Sequence, residues 1–138
     1  MSSIEKVILF LGNTFTGRNH DYSMLKQEFP PEHDWFDDLN ILVDLAYLGM
    51  SKDYRSENIL LPHKKPRKSK KNPVTQLTEE QKIENRALSG IRIFVENAIG
   101  GIKRYNILVH RFRNHKPDFD DDVIGICAGL WNFSLAYS

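Results

Sequence analysis

The chain has 138 residues, of which 41% are hydrophobic and 27% charged, and its formal net charge is +1. That length suits one domain with a single modest core, and that composition excludes a disordered polymer. No apolar run approaches the roughly 20 residues of a membrane span, and Met1 is followed by Ser-Ser-Ile-Glu-Lys rather than by the basic and then apolar stretch of a secretory signal.

In chain order, KVILFLG (6–12) reads as a β-rich apolar strand closed by Gly12-Asn13. After a loop, Asn19 or Asp21 is placed to cap a helix through YSMLKQEF, which Pro30-Pro31 ends. LNILVDLAYLG (39–49) opens as a buried strand at Ile41, Leu42 and Val43 and then reaches Asp44, and NILLP (58–62) is a further short strand stopped by Pro62. HKKPRKSKKNP (63–73) holds six Lys/Arg and two Pro with almost nothing apolar, so it is expected to be an exposed loop. Thr78 and Gln81 have the spacing of a capping box, which starts a long helix near Glu79. Ala87, Ile91, Val95, Ala98 and Ile102 hold one face of that helix at three- and four-residue steps, and the helix fades near 104–106. A basic-then-acidic connection (107–122) leads to VIGICAGLWNFSLAY (123–137), a mostly buried closing helix. Strands alternating with helices predict an α/β or α+β fold.

The charge is unevenly spread. Residues 1–50 carry three Lys/Arg against eight Asp/Glu, residues 51–116 carry sixteen against six, and residues 117–138 carry four Asp and no Lys or Arg. A basic middle between acidic ends suits a polyanion partner, with a solvated basic face as the ordinary alternative. The lone Cys127 lies in an apolar segment, without Cys or His at metal-ligand spacing, which suits a buried thiol in a reducing cytosolic or nuclear compartment. Trp35 and Trp131 read as packing anchors rather than base-stacking residues.

Two carboxylates stand out. On the long helix Asn85, Ser89, Arg92, Glu96 and Lys103 fall near one line, away from the apolar face. Glu96 is then either half of a solvated Arg92–Glu96 pair, worth about 0.3–0.5 kcal/mol, or a group placed for chemistry. Asp44 ends an apolar strand, where open α/β sheets place their ligand crevice, or else simply begins a turn. Together, two such carboxylates can hold hard divalent cations, and a pair of ions about 3.5–4 Å apart activates an attacking hydroxyl and stabilises the leaving oxygen in phosphodiester chemistry.

ILVDLAYLG, LLPHKKP and NRALSGIRIFVENAIGGIKRYNIL resemble the DDE-class transposases of bacterial insertion sequences and their eukaryotic Harbinger-type relatives. The resemblance covers nearly the whole chain. Its most specific part is a helix signature of Tyr, two residues, Arg, three residues, Glu, six residues, Lys, onto which Arg92, Glu96 and Lys103 fall, with Ser89 in the place of Tyr. Asp44, Tyr47 and Gly49 match the family's D-x-x-Y-x-G, and TGRNHD (16–21) matches its Gly…His-Asp segment, in which capping is the plain reading of His20 and Asp21.

The resemblance implies an RNase H-like core whose three acidic residues bind two Mg²⁺ or Mn²⁺ and drive DNA strand cleavage and transfer. Asp44 and Glu96 would be catalytic and metal-binding. Arg92, Lys103, Arg104, Lys64, Lys65, Arg67, Lys68, Lys70 and Lys71 would contact DNA, and Arg111, Arg113 and Lys116 would extend that surface. The basic loop also reads as a solvated linker or, in a nuclear protein, an import signal.

The family's first catalytic Asp lies upstream of the Gly…His-Asp segment, where this chain has only Glu5. The expected architecture is therefore the C-terminal part of the domain over 1–138: a truncated RNase H-like fold, a mixed sheet flanked by helices, lacking the first two strands. From this follow expectations of exposed sheet edges, marginal stability, weak metal binding and no Mg²⁺-dependent cleavage by the chain alone. The expected partners are transposon-end DNA, a complementing N-terminal transposase segment and a further copy of the chain, with no membrane. The expected compartment is the bacterial cytoplasm, or the nucleus in a eukaryote. A non-catalytic DNA-binding remnant and one half of a split or frameshifted transposase are the alternatives.

Overall fold

The computed structural model describes residues 1–15, 17–56, 58–69, 75–114 and 116–137. Its Cα positions divide into two compact units, Met1–Phe15 with Ile91–Ser138, and Thr16–Gly90. Among the described residues the elements are α1 (Asp21–Glu28), β1 (Ile41–Leu42), a 3₁₀ turn (Leu45–Tyr47), α2 (Met50–Asp53), β2 (Ile59–Leu60), α3 (Glu79–Lys103), a second 3₁₀ turn (Asn106–Leu108) and α4 (Phe119–Ala136). Helices and strands do mix, as expected. The sheet among these residues is one parallel pair rather than the mixed sheet expected, with Ile41 opposite Ile59 and Leu42 opposite Leu60.

In the unit Thr16–Gly90, β1 and β2 are joined by Ile41 N–H donating to Asn58 O (2.9 Å) and Val43 N–H to Leu60 O (3.1 Å). Apolar side chains from both strands and from α1 cover a core of Phe36, Met50 and Tyr54, in which Met50 is 1% exposed. The Tyr54 hydroxyl donates to Phe29 O (2.6 Å), so its polar end is satisfied as its ring packs. Helix α1 is capped by neither Asn19 nor Asp21. The His20 ring nitrogen Nδ1 accepts from Tyr22 N–H (3.2 Å), supplying the acceptor that the first turn lacks. The capping box forms as expected: Thr78 Oγ1 accepts from Gln81 N–H (3.2 Å) and Gln81 Oε1 from Thr78 N–H (3.1 Å).

In the other unit the core is Ile102 of α3 with Val123, Cys127, Ala128 and Trp131 of α4. Trp131, 7% exposed, is a packing anchor as expected, whereas Trp35 is 45% exposed and sets its ring edge-on to Phe29. Gly101 is where α3 meets α4. A Cβ there would lie 2.5 Å from Cη2 of Trp131 and nearer still to Cε3 and Cζ3, so only glycine admits the indole. Helix α4 begins at Phe119, four residues before the apolar run, and draws Asp120, Asp121 and Asp122 into its first turn, where negative charge complements the helix dipole.

Two expectations fail here. The segment 6–12 is not a strand. Its described pairing is a single antiparallel bridge, Ser2 to Ile8; residues 1–3 bond part of its backbone, and side chains of α4 bond another part. Asn132 Oδ1 accepts from Ile8 N–H (2.8 Å), Asn132 Nδ2 donates to Ile8 O (2.9 Å) and Trp131 Nε1 donates to Lys6 O (2.8 Å). A ladder needs a neighbouring strand; among the described residues these backbone groups bond Met1, Ser3 and the Asn132 amide and Trp131 indole instead. The apolar face of α3 is also buried only towards its end. Ala98 and Ile102 are buried and Val95 half-buried, while Ala87 and Ile91 are exposed.

Candidate functional site

The candidate carboxylates fall in different units, Asp44 in Thr16–Gly90 and Glu96 in the other. Asp44 follows β1 and is half-buried. Its Oδ1 accepts from Leu45 N–H, capping the 3₁₀ turn Leu45–Tyr47. The turn reading of Asp44 is therefore realised, with Oδ1 turned to that N–H.

Tyr47 and Gly49 next to it have packing roles. The Tyr47 ring stands edge-on to Tyr22 of α1, with centroids 6.1 Å apart. A Cβ on Gly49 would lie 2.8 Å from Tyr22 Cε1. Tyr22 is held in turn by its hydroxyl donating to Asp53 Oδ2 (2.6 Å), and Lys26 Nζ lies 4.7 Å from its ring centre. The Tyr22 hydroxyl is pushed far up its pH scale, first by burial and then by Asp53. The Tyr47 hydroxyl is also raised, first by burial and then by the charges of Asp21 and Asp44. Tyr22, the residue after His20-Asp21, is thus where α1 packs on the segment Asp44-x-x-Tyr47-x-Gly49.

Glu96 makes the pair its spacing allows. Arg92 Nε lies 3.4 Å from Glu96 Oε1, with side chains 52% and 65% exposed. Lys103, at the end of the same helix, is exposed and lines, with Asp120, a largely apolar groove of about 530 Å³ whose walls include Leu11, Val95 and Ile99. Ser89, in the Tyr position of the helix signature, donates to Asn85 O (2.8 Å) within its own helix. Arg104 is exposed but sets its guanidinium 5.3 Å from the Trp131 ring, a cation–π contact that ties it partly to the core.

The basic segment enters from β2. Lys64, Lys65, Arg67 and Lys68 are all exposed in a stretch without helix or strand, while Lys70 and Lys71 lie outside the described residues. Arg111, Arg113 and Lys116 are exposed in the other unit, where His110–Arg113 line a depression of about 560 Å³. Sequence reasoning missed what roots the segment 64–68. The Asn85 side chain of α3 holds the backbone of His63 at both polar atoms, and the His63 ring meets the Glu84 carboxylate. An asparagine inside a helix is a poor helix former, and that was the signal in the sequence.

Among the described residues no group of three or more His, Cys, Asp or Glu could hold a metal ion. None of their helices is long and apolar enough to cross a membrane. A family model described as DDE superfamily endonuclease matches residues 2–132. A probable transposase for insertion sequence element IS702, from Microchaete diplosiphon, is 32% identical over 120 residues, which is 87% of this chain and 39% of that relative. The chain thus spans about two fifths of the length of the curated relative it matches. No solved structure gives a significant match.

Proposed function

Because the chain belongs to the DDE superfamily endonuclease family, we propose that it forms the C-terminal portion of a transposase catalytic domain of truncated RNase H-like fold. In this reading it acts on DNA by metal-assisted phosphodiester cleavage and strand transfer. Asp44 and Glu96 are its two metal-binding carboxylates, and Mg²⁺ or Mn²⁺ is the ion. The observation that carries the reading is the coincidence of two motifs in one family-matched chain: Asp44 at a strand end with Tyr47 and Gly49, and Glu96 spaced against Arg92 and Lys103.

The donor chemistry fits the ion. Both groups offer carboxylate oxygens, which hard divalent cations take, and Mg²⁺ needs only one or two of them beside substrate phosphates. Bound there, the ions would activate the attacking hydroxyl and offset charge on the leaving oxygen. The chain's own residues orient the donors and hold the substrate. Leu45 N–H orients Asp44 by donating to its Oδ1, and Arg92 pairs with Glu96 on the exposed face of α3. The exposed Lys64, Lys65, Arg67, Lys68 and Lys103 neutralise phosphates without reading bases. The third carboxylate of the site comes from outside these 138 residues, and the chain alone does not cleave DNA.

The test is Mn²⁺ binding followed by electron paramagnetic resonance, with the chain mixed with the N-terminal part of the similar transposase. Wild type is expected to bind more Mn²⁺ in the mixture than alone, and D44N and E96Q to abolish the gain. An unchanged Mn²⁺ signal in both variants would remove the two residues from the metal site. A non-catalytic DNA-binding role is the second reading, supported by a basic segment whose exposure does not depend on either carboxylate.

A further inference from the structure

We propose that Asn85 is a positioning residue for DNA binding: by clamping the backbone of His63 it gives the basic segment Lys64–Lys68, which runs from β2 towards α3, a fixed root. The inference rests on the reading above that this segment contacts DNA phosphates. All the groups concerned lie in the unit Thr16–Gly90.

The clamp is two-pronged. Asn85 Oδ1 accepts from His63 N–H (2.7 Å), and Asn85 Nδ2 donates to His63 O (3.0 Å). A carboxamide presents one donor and one acceptor side by side, so it pairs with both polar groups of one residue as a neighbouring strand would. Aspartate lacks the donor and alanine lacks both. Asn85 is half-buried, on the second turn of a helix whose start is set by the Thr78–Gln81 capping box. The contact of the His63 ring with Glu84 adds a second hold from the adjacent helical residue.

The segment beyond is built to stay extended. Pro62 precedes the clamped residue and Pro66 divides the arm. Proline fixes its own φ and restricts the residue before it, here Leu61 and Lys65, to extended conformations. Four exposed cations, Lys64, Lys65, Arg67 and Lys68, follow a pinned residue within five positions. Ordering such side chains on binding is an entropic cost, and a fixed root removes part of it before DNA arrives. The same device recurs in the other unit, where Asn132 holds both polar backbone atoms of Ile8.

The experiment is a double-mutant cycle in the full chain between N85A and an armless variant, K64A/K65A/R67A/K68A. It is read by fluorescence anisotropy on short duplex DNA over a range of salt, with hydrogen exchange at the His63 amide measured on the free chain. The armless variant should lower the magnitude of the salt slope by up to about 3–4, near 0.9 for each phosphate no longer neutralised. N85A should weaken binding about tenfold, with a salt slope shallower by roughly 1, and should release the His63 amide to exchange. In the armless background N85A should have no further effect on affinity, which separates positioning through the arm from general damage to the fold. If the armless variant binds like wild type, the DNA reading of the segment falls and the inference with it. If the armless variant binds weakly while N85A binds like wild type, or if N85A weakens binding equally in both backgrounds, the positioning role alone is overturned.

Discussion

Gly101→Ala tests how the unit Met1–Phe15 with Ile91–Ser138 is held together. Alanine is the better helix former by about 1 kcal/mol, so on α3 alone the change would stabilise. Against this, the new Cβ would sit 2.5 Å or less from three carbons of the Trp131 six-membered ring. Normal carbon contacts begin near 3.5 Å, so the indole must retreat by about 1 Å. It cannot do so freely, because its Nε1 donates to Lys6 O (2.8 Å) and the residue is 7% exposed among Ile102, Val123, Cys127 and Ala128. Overpacking of this kind costs about 1–3 kcal/mol, and losing the indole hydrogen bond adds about 1. The net expectation is a loss of about 2 kcal/mol. Gly100→Ala is the control, because a Cβ there meets nothing within 4 Å; it should gain up to about 1 kcal/mol. Urea unfolding followed by near-ultraviolet circular dichroism compares the two. Equal stability of the variants, or a more stable Gly101→Ala, would refute the packing of α3 on Trp131.

Gly49→Ala should displace the Tyr22 ring, whose Cε1 lies 2.8 Å from the added Cβ, and loosen α1 against the 3₁₀ turn; loss of protection at the α1 amides by hydrogen exchange checks this. Asp120 has its pKa lowered, first by the Thr14 hydroxyl that donates to its Oδ2 (2.7 Å). A depressed carboxyl stabilises above its unfolded pKa, near 3.8, and that contribution is lost as pH falls through the folded value. Thr14→Ala should therefore flatten the acid limb of the stability profile below about pH 4 and leave its shape at neutral pH unchanged, as measured by urea midpoints across pH.

Helix α3 is legible in the sequence because its start is a local event: Thr78 and Gln81 satisfy each other's backbone over three residues. The strands β1 and β2 are legible because Ile41–Val43 and Ile59–Leu60 are short apolar runs cut by Asp44 and Pro62. The segment 6–12 looks the same by that measure, but an apolar run reports burial rather than the presence of a pairing partner, and here Asn132 and Trp131 take that place. The N-cap of α1 is legible only in part: helix patterning points to Asn19 or Asp21, and the Gly…His-Asp segment to His20 or Asp21. His20 is an uncommon capping residue, and only its ring orientation shows that Nδ1 reaches Tyr22 N–H. At the candidate site, the Arg92–Glu96 pair follows from helical spacing alone. The packing of Tyr47 and Gly49 on Tyr22, and the Asn85 clamp on His63, join residues 22 or more positions apart that no local pattern links.

The most direct measurement is cleavage of transposon-end DNA in Mn²⁺ by the chain mixed with the N-terminal part of the similar transposase, alongside the same mixture made with D44N or E96Q. Mn²⁺-dependent cleavage by the wild-type mixture, absent from the chain alone and from both variants, is the predicted result. Cleavage that persists in D44N and E96Q, or that the chain performs unaided, would contradict the assignment of Asp44 and Glu96 to a metal site completed from outside these residues.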